Sequence, residues 1–157
     1  MQWREWRTST THTLAAQISR WLEIVQSGGE QARYLSSCDM HEEWVRLLLR
    51  SGTNGVQGPC MTVATVQIEP EAQRAGLFKD LLAHLWKVNP WPMLVVEDVT
   101  NPSLQAFLER IGAQVLSERY ATTYAVPSDS IYRFSARHLL PYSAYRRTLQ
   151  GGAQIER

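Results

Sequence analysis

Cysteine is scarce: Cys38 and Cys60 are the only two among 157 residues. Two thiols so far apart exclude a disulfide framework and a zinc site, so the sequence predicts free, packed thiols, a reducing cytoplasmic setting and no metal. No stretch approaches the roughly eighteen apolar residues of a membrane span, and the opening M-Q-W-R-E-W-R lacks the apolar centre of a signal peptide. A soluble chain with no membrane partner is expected. Lysine is as rare as cysteine, occurring only as Lys79 and Lys87, so arginine supplies nearly all of the positive charge. With a formal net charge of only +1 there is no general attraction to nucleic acid, and the composition argues against such a partner. Internal repeats and low-complexity tracts are absent. What remains is a chain of the length of one domain, residues 1–157, able to bury a core unaided.

The most informative stretch is Val66 to Leu82. Val66 and Ile68 alternate with Gln67 and Glu69 at the two-residue period of a strand, and Pro70 cannot donate a ladder hydrogen bond, so it ends the strand. Leu77, Leu81, Leu82 and Leu85, with Trp86, then fall on one helical stripe. Gly76 sits in the turn between them, at a helix N-terminus whose free N–H groups and dipole favour a phosphate.

Elsewhere the pattern is clearest where apolar residues recur regularly. Trp3 and Trp6 fit a short strand or an ordered arm. Leu14, Ile18, Trp21, Leu22 and Val25 predict an amphipathic helix, with threonines before it and Gly28-Gly29 after it. Ala32–Ser36 reads as a strand, and Asp39-x-x-Glu42 ahead of Trp44, Val45, Leu48 and Leu49 reads as a capping box opening a second helix that ends near Ser51-Gly52. The glycine-rich loop from Gly52 to Pro59 reads as a tight or mobile turn. The β-branched run from Met61 to Val66 predicts a central strand, a helix spans Leu77–Val88, and Met93–Val96 reads as a strand buried on both faces. Strand, crossover helix and strand make a parallel pair, with the Gly76 turn at the carboxyl edge where open α/β sheets place ligands. Asn101-Pro102 starts a helix over Ser103–Arg110 that Gly112 ends. Ala113–Val126 is extended, as two short strands. Ile131, Tyr132 and Phe134 suggest one more strand in the tail.

The stretch Pro70-x-x-Gln73-Arg74-Ala75-Gly76-Leu77-Phe78, followed by Leu81-Leu82, resembles the acetyl-CoA signature of the GNAT N-acetyltransferases, Q/R-x-x-G-x-G/A between a proline and a Leu-Leu pair. Phe78 departs from the small residue expected at its position. The run Val95-Val96-Glu97-Asp98-Val99-Thr100-Asn101, leading into Leu104-x-x-Phe107-Leu108-Glu109-Arg110-Ile111-Gly112-Ala113, resembles the family's next strand, its asparagine and a helix ending in glycine. The two elements stand in the family's order and cover residues 60–126. The resemblance implies an α/β fold of the GNAT type, a mixed and twisted sheet with a central parallel strand pair and flanking helices. Residues 60–126 would form its cofactor-binding core and 127–157 a C-terminal extension. A strand ahead of the second helix would depart from the family, which places a second helix and then an antiparallel hairpin there.

It further implies acetyl-CoA as co-substrate and an amine acceptor that attacks the thioester directly in a ternary complex. The turn Gln73, Arg74, Ala75, Gly76, Leu77 and Phe78 would cradle the pyrophosphate, the backbone at Val66 and Ile68 would pair with the pantetheine arm and donate to the oxyanion, and Asn101 would contact the cofactor. The rival reading of the turn is an ordinary helix N-terminus, and that of Asn101 is a helix cap. For the base, Glu97 and Glu69 are the carboxylates at the carboxyl ends of the two central strands, with Asp98 and His84 behind them. The family's acidic tyrosine is replaced by Leu108, which leaves either unassisted departure of the thiolate, a thiol being acidic enough, or a catalytically impaired module for CoA or protein binding. Tyr120 and Tyr124 are the nearest phenols to have taken over the role. The aromatic tail residues Tyr132, Phe134, Leu139, Leu140, Tyr142 and Tyr145 suggest a homodimer contact, against packing on the chain's own sheet.

Overall fold

The computed structural model describes residues 2–43, 45–52, 58–73, 75–131 and 138–147. In chain order these form α1 (Trp3–Ser9), α2 (Leu14–Ser27), α3 (Glu30–Tyr34), β1 (Ser37–Glu42), β2 (Val45–Gly52), β3 (Cys60–Ile68), a 3-10 turn at Pro70–Ala72, α4 (Leu77–Val88), β4 (Met93–Val99), α5 (Pro102–Arg110), β5 (Gln114–Ser117), β6 (Thr122–Ala125) and α6 (Ser128–Ile131). A last helical turn, α7, spans 142–147. The six strands form one sheet in the order β1-β2-β3-β4-β6-β5. Only β3 and β4 are parallel, and every other pair is antiparallel. The expected fold class, a mixed sheet with a central parallel pair and flanking helices, is the one found.

Three readings of the N-terminal third are corrected. Trp3 and Trp6 lie in a helix, not a strand or an arm. Residues 32–36 are not a strand: Glu30–Tyr34 is a short helix. Asp39 to Gly52 is not a helix but the hairpin β1–β2, with Asp39 opposite Leu48 and Glu42 opposite Val45. Val45, Leu48 and Leu49 fit a helical stripe, yet Val45, Leu47 and Leu49 alternate just as well, and these three are buried at 4%, 0% and 0% exposure. Pairing with β3 decides between the two periods, a long-range term that local pattern does not contain. The residues of the supposed capping box serve elsewhere. Asp39 accepts from Arg46 across the hairpin at 3.3 Å, and Glu42 caps a different helix, accepting from the Leu14 N–H of α2 at 2.9 Å. A helix followed by a hairpin is what the family resemblance implies, so the supposed departure from it disappears.

The core runs beneath the whole sheet, from Ile18 and Trp21 of α2 through Leu47, Leu49, Met61 and Val63 to Leu81 and Leu85 of α4. The Trp21 indole donates to the Leu35 carbonyl at 2.7 Å, and that of Trp86 to Val126 at 2.9 Å, so the largest side chains also fix loops. Cys38 and Cys60 are both buried free thiols. Burial pushes the Cys38 thiol up to about 12, Arg7 acting against the rise and Asp39 with it.

The described stretch of the tail over residues 138–147 packs on its own chain. Leu139, Tyr142 and Tyr145 are buried. The Tyr145 hydroxyl donates to Asp80 of α4 at 2.7 Å, and the Tyr142 N–H to Glu42 at 2.7 Å. Of the residues suggested for a homodimer contact, only Leu140 is exposed among those described. Ile131 closes α6, not a strand, and Tyr132, Phe134 and the loop 53–57 lie outside the described residues. No helix among the described residues is long and apolar enough to cross a membrane, and they contain no metal-binding group of three His, Cys, Asp or Glu.

Candidate functional site

The site begins where the parallel pair comes apart. β3 and β4 pair only from Cys60/Met93 to Val63/Val96, although β3 continues to Ile68 and β4 to Val99. Each strand carries a local irregularity at the point of separation. In β3, Thr65 faces Leu48 and Val63 faces Leu49, which leaves Ala64 as an extra residue without a partner on β2. In β4 the register against β6 shifts between Val96 and Val99, and Asp98 adopts φ 53°, a left-handed conformation rare for a side-chain-bearing residue. Such bulges bend a strand and end its pairing. The Asp98 N–H is satisfied by the Thr123 hydroxyl at 3.2 Å, and Arg50 of β2 reaches over β3 to hold both Glu97 oxygens at 3.0 and 3.1 Å. The consequence is a free backbone edge on β3 beyond Val63, able to pair with an extended ligand.

A cavity of about 430 Å³ occupies this opening. Val66 and Ile68 form its strand wall, Gln73, Gly76, Phe78 and Lys79 its turn, and Asn101, Ser103, Leu104 and Phe107 its far side. That volume is within the range of small-molecule sites. Gly76 is the N-cap of α4 at φ 80°, ψ 12°, and no side chain caps the helix. A left-handed N-cap favours glycine, and an uncapped first turn leaves its N–H groups for a ligand. Gln73 is tied into the turn, its amide donating to the Ile68 carbonyl at 2.9 Å. Phe78, the departure from the signature, meets Phe107 edge to face with centroids 6.0 Å apart. The larger side chain therefore packs on α5.

Of the nine residues the sequence assigned to cofactor binding, six (Val66, Ile68, Gln73, Gly76, Phe78 and Asn101) line this one cavity. Leu77 is buried in the core and Ala75 packs against it. Arg74 lies outside the described residues. Asn101 also caps α5, its oxygen accepting from the Ser103 and Leu104 N–H groups at 2.9 and 3.2 Å, so the residue that lines the cavity is at the same time a helix cap. Lys79, Ser103, Leu104 and Phe107 were missed. The signal for Lys79 was its place in the first turn after Gly76, and for Leu104 and Phe107 their helical spacing.

The acid–base candidates are dispersed. Glu97 is held by Arg50, with its side chain 20% exposed. Glu69 is exposed at the end of β3, and its carboxylate has no partner among the described residues. Leu108 is fully buried, as is Tyr124, while Tyr120 is 97% exposed, and none of the three lines the cavity. Burial pushes the Tyr124 phenol up, helped by Glu109, whose carboxylate is 3.5 Å away. His84 lies farther along α4 with Nε2 buried and unpartnered, and burial, then Lys87 and His138, lower its pKa.

Fold and site together define a mixed-sheet α/β protein with a ligand-sized cavity at the carboxyl end of a splayed parallel pair. No protein-family model matches the chain, and no curated protein matches it. Among solved structures it is similar to a mutant of the AtaT toxin bound to the C-terminus of the antitoxin AtaR and acetyl-CoA, at 18% identity and TM-score 0.43, over 60% of this chain and 64% of that one. It is also similar to AtaTR bound with acetyl-CoA, at 17% identity and TM-score 0.48, over 73% and 83% of the two chains. A third is the KacTA–DNA complex, at 17% identity and TM-score 0.44, over 81% and 90%. At these levels the likeness is one of shape, and the roles of residues rest on this chain's own geometry.

Proposed function

We propose that the protein is an acyl-CoA-dependent N-acyltransferase that moves an acetyl group from acetyl-CoA to an amine in a ternary complex. One observation carries the reading: the strand edge freed beyond Val63 and the uncapped Gly76 turn face the same cavity. An extended arm with amide groups can pair with the first while an anionic head sits on the second. Coenzyme A has both parts. Lys79 adds a cation beside the turn, and Phe78 and Phe107 give the cavity an apolar side.

In this reading the protein acts mainly by positioning, worth roughly 7 to 11 kcal/mol when two reactants are held in line. A backbone N–H of the free β3 edge stabilises the thioester oxyanion. Glu69 is the better base of the two carboxylates, because Glu97 is engaged by Arg50 while Glu69 has no partner among the described residues. With Leu108 in the core the thiolate leaves without a dedicated acid. That same burial favours a second reading, a catalytically impaired module that binds CoA and a protein.

Initial rates of CoA thiol release, varied in acetyl-CoA and in a primary amine, separate the possibilities. Intersecting double-reciprocal lines are expected for direct attack, and parallel lines would indicate an acyl-enzyme instead. Binding of acetyl-CoA without release to any amine would leave the module.

A further inference from the structure

A second cavity, of about 460 Å³, opens at the same end of β3 and shares no lining residue with the first. Strand alternation separates the two. Val66 and Ile68 point into the first, Gln67 and Glu69 into the second. A ligand in the second cavity therefore lies on the opposite face of β3 from the first cavity, over the ends of β1, β2 and β3.

The lining has a charge pattern that selects among ligands. Arg46 is paired with Asp39 across the hairpin at 3.3 Å, so the two largely cancel. The Arg7 guanidinium lies 2.6 Å from Nδ1 of His41. Glu42 is engaged by the N–H groups of Leu14 and Tyr142, and Glu43 has Arg146 at 3.9 Å. Glu69 is left with no partner among the described residues. The formal balance of the lining is four carboxylates against two arginines. Among the described residues of the lining, His41 carries the one ring on which a ring-bearing ligand would stack.

We infer that this cavity is the acceptor site, and that it takes hydrophilic aliphatic ammonium compounds, such as alkyl polyamines, in preference to neutral or aryl amines. The inference rests on the acyltransferase reading for the word acceptor, but the binding claim stands separately. The ammonium sits at Glu69, at the carboxyl end of β3. The ammonium loses one proton to Glu69, the freed amine attacks the thioester carbon, the C–S bond breaks with CoA leaving as thiolate, and the attacking nitrogen gives its second proton to that thiolate as the amide forms.

Calorimetric titration of the full chain with spermidine, with and without saturating CoA, tests the inference. Spermidine is expected to bind once per chain, and more weakly as salt screens the charges. Glu69→Gln should weaken it about fivefold, the upper end for an exposed charge pair. Arg46→Gln should strengthen it, because it frees Asp39, a gain that misfolding cannot mimic. Benzylamine-like aryl amines should bind more weakly than spermidine. Absence of spermidine binding, or binding indifferent to both substitutions, would overturn the assignment. If acetyl-CoA fails to bind while spermidine behaves as expected, the acyltransferase reading falls and the cation site stands.

Discussion

Replacing Gly76 with valine separates the structural task of this residue from its place in the cavity. At φ 80° a side-chain-bearing residue costs about 1 to 2 kcal/mol, and a β-branched one is at the upper end. In a chain of 157 residues each kcal/mol moves the melting midpoint by about 2 to 4 °C, so a fall of roughly 4 to 8 °C is expected from strain. Gly112 provides a matched control. Its φ is 81° and nothing lies within 4 Å of a Cβ built on it, so Gly112→Val meets the same backbone strain in open space outside the cavity that Gly76 lines. On the proposed function, acetyl-CoA at a hundred times its Kd should stabilise the wild type by about 2.7 kcal/mol, or roughly 5 to 10 °C. Thermal melts with and without the ligand should show similar falls in the two variants, with the ligand-induced rise kept in Gly112→Val and lost in Gly76→Val. A rise of wild-type size in Gly76→Val would refute the placement of the ligand at the turn, and its loss in both variants would show that strain alone explains the effect.

Glu69→Gln should lower turnover about a hundredfold while acetyl-CoA binding stays the same, whereas Glu97→Gln, which breaks the Arg50 pair, should change turnover only a few-fold; steady-state kinetics beside binding titrations distinguish them. Tyr120→Phe and Tyr124→Phe should leave turnover within a few-fold, with a rate that rises with pH and levels off. A large loss in either, with binding intact, would place the general acid on a phenol after all. Stability should fall as pH drops below the ordinary histidine range, because His84 is pushed down in the folded state while its unfolded form takes up a proton near pH 6.5. Melting midpoints between pH 7.5 and 5 should flatten in His84→Gln, and an unchanged slope would assign the acid sensitivity to other groups.

The span from β3 through α5 was legible because each boundary has a local chemical mark. Val63 and Val66 favour a strand, Pro70 ends it, Gly76 opens α4, Asn101-Pro102 starts α5 and Gly112 stops it. These signals act within a few residues and mark the Gly76 turn, while the other five cavity-lining positions were reached through the family resemblance. The hairpin was not legible, since Val45, Leu47, Leu48 and Leu49 satisfy both periods and only the register with Thr65 and Val63 chooses between them. Nor was the feature that makes the cavity. The extra residue at Ala64 and the left-handed Asp98 carry no glycine or proline to announce them, and both are imposed by neighbouring strands. The second cavity escaped for a related reason: Arg7, Asp39, Arg46 and Glu69 come from four separate elements or loops that only the folded sheet brings together.

The central claim is that the opening between β3 and the Gly76 turn holds an acyl-CoA. Calorimetric titration of acetyl-CoA into the native chain tests it most directly. The account predicts one site per chain, competition by free CoA, and weaker binding in Lys79→Met with the melting midpoint retained. Absence of measurable binding to acetyl-CoA and to longer acyl-CoAs at millimolar concentration, in a protein shown to be folded by its melt, would contradict it.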